Sequence, residues 1–300
     1  MKEELIKEIK KLKQQYRALI LCHNYQPPEI YEVADFIGDS LELARKAQKT
    51  DCELIVFCGV KFMAETAKLL NPKTRVVLAE PRAGCQMAKM ITAAALRSQK
   101  SRLSDALVVA YVNTDADVKA EADICCTSAN AVRVVASLPQ NRPILFVPDK
   151  NLARWVERET GRTIIPWEGF CYVHALFTAE DVARARKEHP QATVIVHPEC
   201  PLEVIEAADR VASTGGMLRL AQEYPEIVLG TEVGMCSRLR REYPGKGCYP
   251  LRRTAICRNM KLTTLEKVRQ AFLGTYHEIT IPEEIATRAR RSLQRMMELS

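Results

Sequence analysis

Cys85, Cys171 and Cys257 stand at equal intervals of 86 residues in a chain of 300. Such regularity predicts one structural unit used three times, each copy delivering one thiol to a common centre. Other residues keep the same interval. Ala34-Asp35, Ala122-Asp123 and Ala208-Asp209 recur at spacings of 88 and 86, and six residues after each alanine comes a small hydroxyl residue: Ser40, Ser128 and Thr214. Upstream, apolar runs end in polar triplets, His23-Asn24-Tyr25, Tyr111-Val112-Asn113 and His197-Pro198-Glu199, again 88 and 86 apart. A period this long is unlike a solenoid repeat and suits a small domain.

Within each copy, short apolar runs alternate with helical stretches, the pattern of a parallel sheet covered by helices on both faces. The fold class is α/β: three αβα (Rossmann-like) domains related by a pseudo-threefold, with parallel sheets around a central site. The domains are expected at residues 1–103, 104–190 and 191–300, carrying Cys85, Cys171 and Cys257 in turn. Expected strands of the first copy are 18–22, 36–38, 54–57 and 75–78, with helices at 28–33, 41–49 and 61–70. Later strands are expected at 107–110, 144–147, 194–196 and 227–229. Ser40, Ser128 and Thr214 are read as N-caps that aim free helix N–H groups at the site. Helices at 1–15, with Leu5, Ile6, Ile9 and Leu12 on one side, and at 282–299 should pack across the module ends. In such sheets ligands gather beyond the carboxyl ends of the strands, where the polar triplets and cysteines fall.

The first residues are rich in Lys and Glu, and no apolar run approaches the roughly 18 residues of a membrane span. A soluble, cytoplasmic protein is expected. Eleven cysteines without a Cys-x-x-Cys pair fit neither a disulfide framework nor a zinc ribbon. The net charge of +7 is spread along the chain without an aromatic-rich basic motif, so an anionic small molecule is a better partner than nucleic acid.

Cys22, Cys52, Cys58, Cys125 and Cys126 lie in or beside apolar runs and read as small buried hydrophobes. Cys236 and Cys248 could join Cys257 as a local metal set, although their spacing matches no common zinc signature. For Cys85, Cys171 and Cys257, zinc held by three thiolates would be a weak electrophile. A four-iron cubane on three cysteines leaves one iron free to act as a Lewis acid on a hydroxyl or carboxylate. One 4Fe-4S cluster per chain is therefore the expectation. Around it His23, His197, Tyr25, Tyr111, Asn113 and Glu199 supply donors, acceptors and proton-transfer groups, with His174 a further candidate. His189 and His277 are expected at the surface.

His23-Asn24-Tyr25-Gln26, Gly38-Asp39-Ser40-Leu41, Tyr111-Val112-Asn113, His197-Pro198-Glu199-Cys200 and Ser213-Thr214-Gly215-Gly216, with the three cysteines, resemble the quinolinate synthase family of de novo NAD biosynthesis. The resemblance runs over residues 19–261. It implies three αβα domains with a 4Fe-4S cluster at their junction, ligated by Cys85, Cys171 and Cys257. It also implies condensation of iminoaspartate with dihydroxyacetone phosphate, losing phosphate and two waters. By the same carry-over His23, Ser40, Tyr111, Asn113, Ser128, His197, Glu199 and Thr214 would hold the dicarboxylate; His174, three residues after Cys171, is a further substrate-binding candidate, and Tyr25, Glu199 and His197 are the catalytic candidates. A functional link to the aspartate-oxidising enzyme that supplies iminoaspartate would follow. The chain resembles the short form of the family, without a C-terminal Cys-x-x-Cys pair, so redox regulation through that pair is not expected. Two alternatives are an iron-sulfur hydroxymethylbutenyl diphosphate reductase-like enzyme and a non-catalytic iron-sulfur sensor.

Overall fold

Runs of aliphatic and β-branched residues, bounded by polar or turn residues, form three four-stranded sheets in the computed structural model, which describes residues 2–274 and 278–300. The first holds β1 (Ala18–His23), β2 (Phe36–Gly38), β3 (Leu54–Cys58) and β4 (Arg75–Leu78). The second holds β5 (Leu107–Tyr111), β6 (Ile124–Cys126), β7 (Ile144–Val147) and β8 (Ile164–Pro166). The third holds β9 (Thr193–Val196), β10 (Arg210–Val211), β11 (Glu226–Gly230) and β12 (Gly247–Pro250). Every pairing between these strands is parallel, and the spatial order is the same each time: β2-β1-β3-β4, β6-β5-β7-β8 and β10-β9-β11-β12. The strands β3, β5 and β7 are buried along their whole length, as parallel strands covered on both faces must be. In this order the chain reverses direction at the first strand of each sheet. The crevice lies beyond the carboxyl ends of the first and third strands.

The recurrent aspartates have a structural role at the opposite end. Oδ2 of Asp35, Asp123 and Asp209 accepts the backbone N–H of Ile20, Val108 and Val194, each at 2.8 Å. Their own N–H groups donate to the carbonyls of the same three residues at 3.0 Å. Each aspartate thus fixes the start of an edge strand against the central strand, with identical register in all three sheets.

The N-cap expectation is corrected. Asp39 caps helix Ser40–Gln48 in a capping box with Glu42, and Ser213 caps Thr214–Leu220, so Ser40 and Thr214 are first helical residues instead. Ser128 lies outside helix Ala131–Ala136, whose N-cap position is Asn130. The N–H groups of Leu41, Glu42 and Gly216 are satisfied by these caps, and that of Gly215 by Asp39 Oδ2, so they are not free anion donors. Residues 28–32 form a 3-10 turn rather than an α-helix, because the chain must enter β2 within a few residues.

The terminal helices join the units. Lys2–Gln15 packs on β1 and on helix Leu265–Leu273, burying Ile9 and Leu12. Glu283–Glu298 returns from the third unit to pack on β6, on Ala116–Lys119 and on Lys61–Leu70, burying Ala289, Leu293 and Met296 in the main core.

Candidate active site

The carboxyl ends of β1, β5 and β9 aim their polar triplets into one cavity of about 80 Å³. His23, Tyr25, Ser40, Tyr111, Asn113, Ser128, His174, His197, Glu199 and Thr214 line it together with Cys85, Cys171 and Cys257. The units interlock there. Asn24 Nδ2 donates to Thr214 Oγ1 at 3.0 Å, Asn151 Nδ2 to the Glu199 carbonyl at 3.1 Å, and Ser213 Oγ to Asp39 Oδ2 at 3.1 Å.

A continuous polar array crosses the cavity wall. Tyr25 OH lies 2.5 Å from Thr231 Oγ1, which lies 2.9 Å from His174 Nε2. His174 Nδ1 lies 2.7 Å from Glu199 Oε2, and Glu199 Oε1 accepts from Tyr111 OH at 2.5 Å. Ser128 lines the same cavity wall as Tyr111. Burial pushes Glu199's carboxyl upward, but His174 and His197 outweigh it and bring it to about 2, so it is a carboxylate. Burial, then Lys261, lowers His23 to about 3; burial, then His174, lowers His197 to about 3. Both imidazoles are neutral at pH 7 and act through hydrogen bonds. Tyr25 and Tyr111 are held as phenols by burial, with Glu199 adding to the effect.

Each cavity cysteine lies just ahead of a short 3-10 turn, Met87–Met90, His174–Leu176 and Arg258–Leu262 in order. In each case the backbone N–H three residues on, of Ala88, His174 and Met260 respectively, works against burial and favours the thiolate. The loops are also hung alike. The carbonyl two residues before each cysteine accepts from the residue that leads the neighbouring helix: Lys61 N to Ala83 O at 2.8 Å, Lys150 N to Gly169 O at 2.9 Å and Val233 N to Ala255 O at 3.0 Å. Burial raises all three thiols, Cys85 to about 12, so they are protonated until an electrophile displaces the proton.

Two sets could hold metal. Cys171, His174 and Glu199 have ligand atoms within 4.8 Å of one another, whereas the three cavity cysteines do not form so close a group. His174 and Glu199 are already engaged by Thr231 and Tyr111, which accounts for their positions without a metal. Cys236 and Cys248 lie with their sulfurs 2.9 Å apart in the core, and Cys22, Cys58, Cys125 and Cys126 are buried. His189 is partly covered by stacking on Tyr249, with centroids 3.7 Å apart, and His277 lies outside the described residues.

The chain matches the family model described as "Quinolinate synthetase A protein" over residues 7–298. The chain belongs to the quinolinate synthase family. It is 54% identical to the quinolinate synthase of Methanoregula boonei over 98% of both chains. It is 51% identical to that of Desulforudis audaxviator and 52% to that of Pyrococcus furiosus, each over 99% of both. Its function is quinolinate synthesis, and the diphosphate-reductase and sensor alternatives lose their support.

Thr231, which links Tyr25 to His174 in this quinolinate synthase, was not legible in the sequence. It occupies the first position past β11, where the other units have Gly59 and Pro148, so no repeat track marks it. Asp39 sits inside a motif that was noticed, but its capping role shows only in three dimensions. Among the described residues no helix is long and apolar enough to cross a membrane.

Proposed function

We propose that this quinolinate synthase carries one 4Fe-4S cluster on Cys85, Cys171 and Cys257 and condenses iminoaspartate with dihydroxyacetone phosphate. Atoms balance with phosphate and two waters as the other products, and no oxidant is required. Three observations support the cluster. The donor set is three soft thiolates. Each sulfur has, three residues on, a backbone N–H that favours its anionic form. A tetrahedral ion at about 2.3 Å would draw its sulfurs to about 3.8 Å, closer than the spacing of this set suggests. When bound, the cluster would supply an open iron as Lewis acid for departing hydroxyl groups.

The observation that carries the chemistry is the array from Tyr25 to Tyr111. A proton leaving Tyr25 OH passes through the Thr231 hydroxyl to His174 Nε2, and the Glu199 carboxylate offsets the charge that arrives. Tyr25 can then accept a carbon-bound proton from the condensation intermediate and return it to a departing hydroxyl. Neutral His23 and His197, with Ser40, Asn113, Ser128 and Thr214, suit the carboxylate groups through hydrogen bonds. The eleven free thiols suit a reducing, cytosolic setting. Domain limits near residues 103 and 190 agree with where the three sheets begin and end, and supply of iminoaspartate by an aspartate-oxidising enzyme fits the substrate.

The test is quinolinate formation from the two substrates by anaerobically reconstituted protein. Product that disappears with the cluster in Cys171→Ala is expected. A cluster-free Cys171→Ala protein that still made quinolinate would overturn the assignment.

A further inference from the structure

Asp149 and Glu232 are buried acidic side chains that the proton array does not use; they are 0% and 1% exposed, and burial pushes both carboxyls upward. Each stands two residues past the third strand of its sheet, after Val147 and Gly230. Asp149 Oδ2 accepts the backbone N–H of Cys171 at 3.1 Å, while Oδ1 accepts that of Leu152 at 2.8 Å, capping helix Lys150–Thr160. Glu232 Oε1 accepts the backbone N–H of Cys257 at 3.2 Å, while Oε2 accepts that of Gly234 at 2.7 Å and pairs with Lys261 Nζ at 3.0 Å. Both acidic side chains therefore tie the amide of a cavity cysteine to the start of the adjacent helix. The matching position in the first unit is Val60, which offers no acceptor. There the loop is held from across the interface, by Asn259 Nδ2 on the Gly84 carbonyl at 2.6 Å.

We propose that Asp149 and Glu232 are positioning residues that preset Cys171 and Cys257 for the cluster, each from within its own unit. The proposal rests on the cluster reading given above. Both oxygens of each carboxyl serve as acceptors, so the amide isostere must turn a donor against one N–H and lose a bond. Serine at position 149 keeps a good N-cap but is too short to reach Cys171 as well, which separates helix capping from ligand positioning.

The test compares Asp149→Ser and Glu232→Gln with the unsubstituted chain in anaerobically loaded protein. Iron release to a ferrous chelator, the electron paramagnetic resonance of the reduced cluster, and the thermal midpoint of the cluster-free protein are measured together. Partners that orient metal ligands typically contribute 10–100-fold in affinity, so release about 10-fold faster or more is expected in both acidic-site variants. An altered resonance should accompany it, and release should rise by more than any lowering of the cluster-free midpoint accounts for. Release and resonance equal to the unsubstituted protein would overturn the proposal, as would faster release that merely follows a lower midpoint. Should Asp149→Ser fail to fold, Glu232→Gln decides alone. If the unsubstituted protein takes up no cluster, the cluster reading fails and this proposal with it; if it loads and the variants behave like it, only the proposal fails.

Discussion

Lowering the pH from 7 to 5 should cost the cluster-free protein about 4 kcal/mol of stability through His23 and His197 alone, at about 2 kcal/mol each. Both imidazoles are held near 3 in the fold, against an ordinary 6.5. Between those values the unfolded chain binds protons that the folded chain refuses. Stability is therefore full above pH 6.5, falls as pH drops through the window, and levels off below about 3, where the folded imidazoles also protonate. At pH 5 the unfolded imidazole is about 1.5 pH units below its midpoint, and each unit is worth about 1.4 kcal/mol, which gives the 2 kcal/mol per residue. Glu199, held near 2, adds a loss of the same sign only below its ordinary 4.5. Denaturant unfolding at the two pH values measures the total, and histidine-selective NMR identifies the groups. His23 and His197 should remain neutral at pH 5. His23 and His197 titrating near 6.5, or a loss of stability undiminished in a His23→Gln, His197→Gln protein, would refute the reasoning.

Glu199→Gln should retain the cluster by visible absorbance yet lower turnover by about 10²- to 10⁴-fold, the usual range for a positioned proton-transfer group. Thr231→Val keeps the shape of the side chain but leaves Tyr25 OH and His174 Nε2 without a shared partner. It should cost about 1–3 kcal/mol in unfolding experiments and lower turnover with cluster content unchanged. Leu293→Ala, which empties a fully buried site where the C-terminal helix meets the main core, should cost about 2–5 kcal/mol by denaturant titration.

The sheets were legible because the physics of a doubly covered parallel strand leaves a continuous apolar run, as at Leu54–Cys58 and Leu107–Tyr111. The triplets were legible because their offsets repeat. Helix starts were less so: serine, threonine and aspartate all cap well, and when two are adjacent, as at Asp39-Ser40 and Ser213-Thr214, composition does not choose between them. Thr231, Asp149 and Glu232 stayed hidden for a different reason. The first follows a strand end without counterparts, and the other two act on backbone amides, which carry no side-chain signature in a sequence.

The aspartate pins place what the three units share at one end of each sheet and leave the opposite end free to differ. An assembly of three identical subunits would surround its ligand with three copies of one wall and could not distinguish the two ends of an unsymmetrical molecule. Linking the units in a single chain lifts that restriction. Tyr25, Asn113 and Glu199 occupy one and the same position in three copies of a common design, and an unsymmetrical condensation needs three different walls.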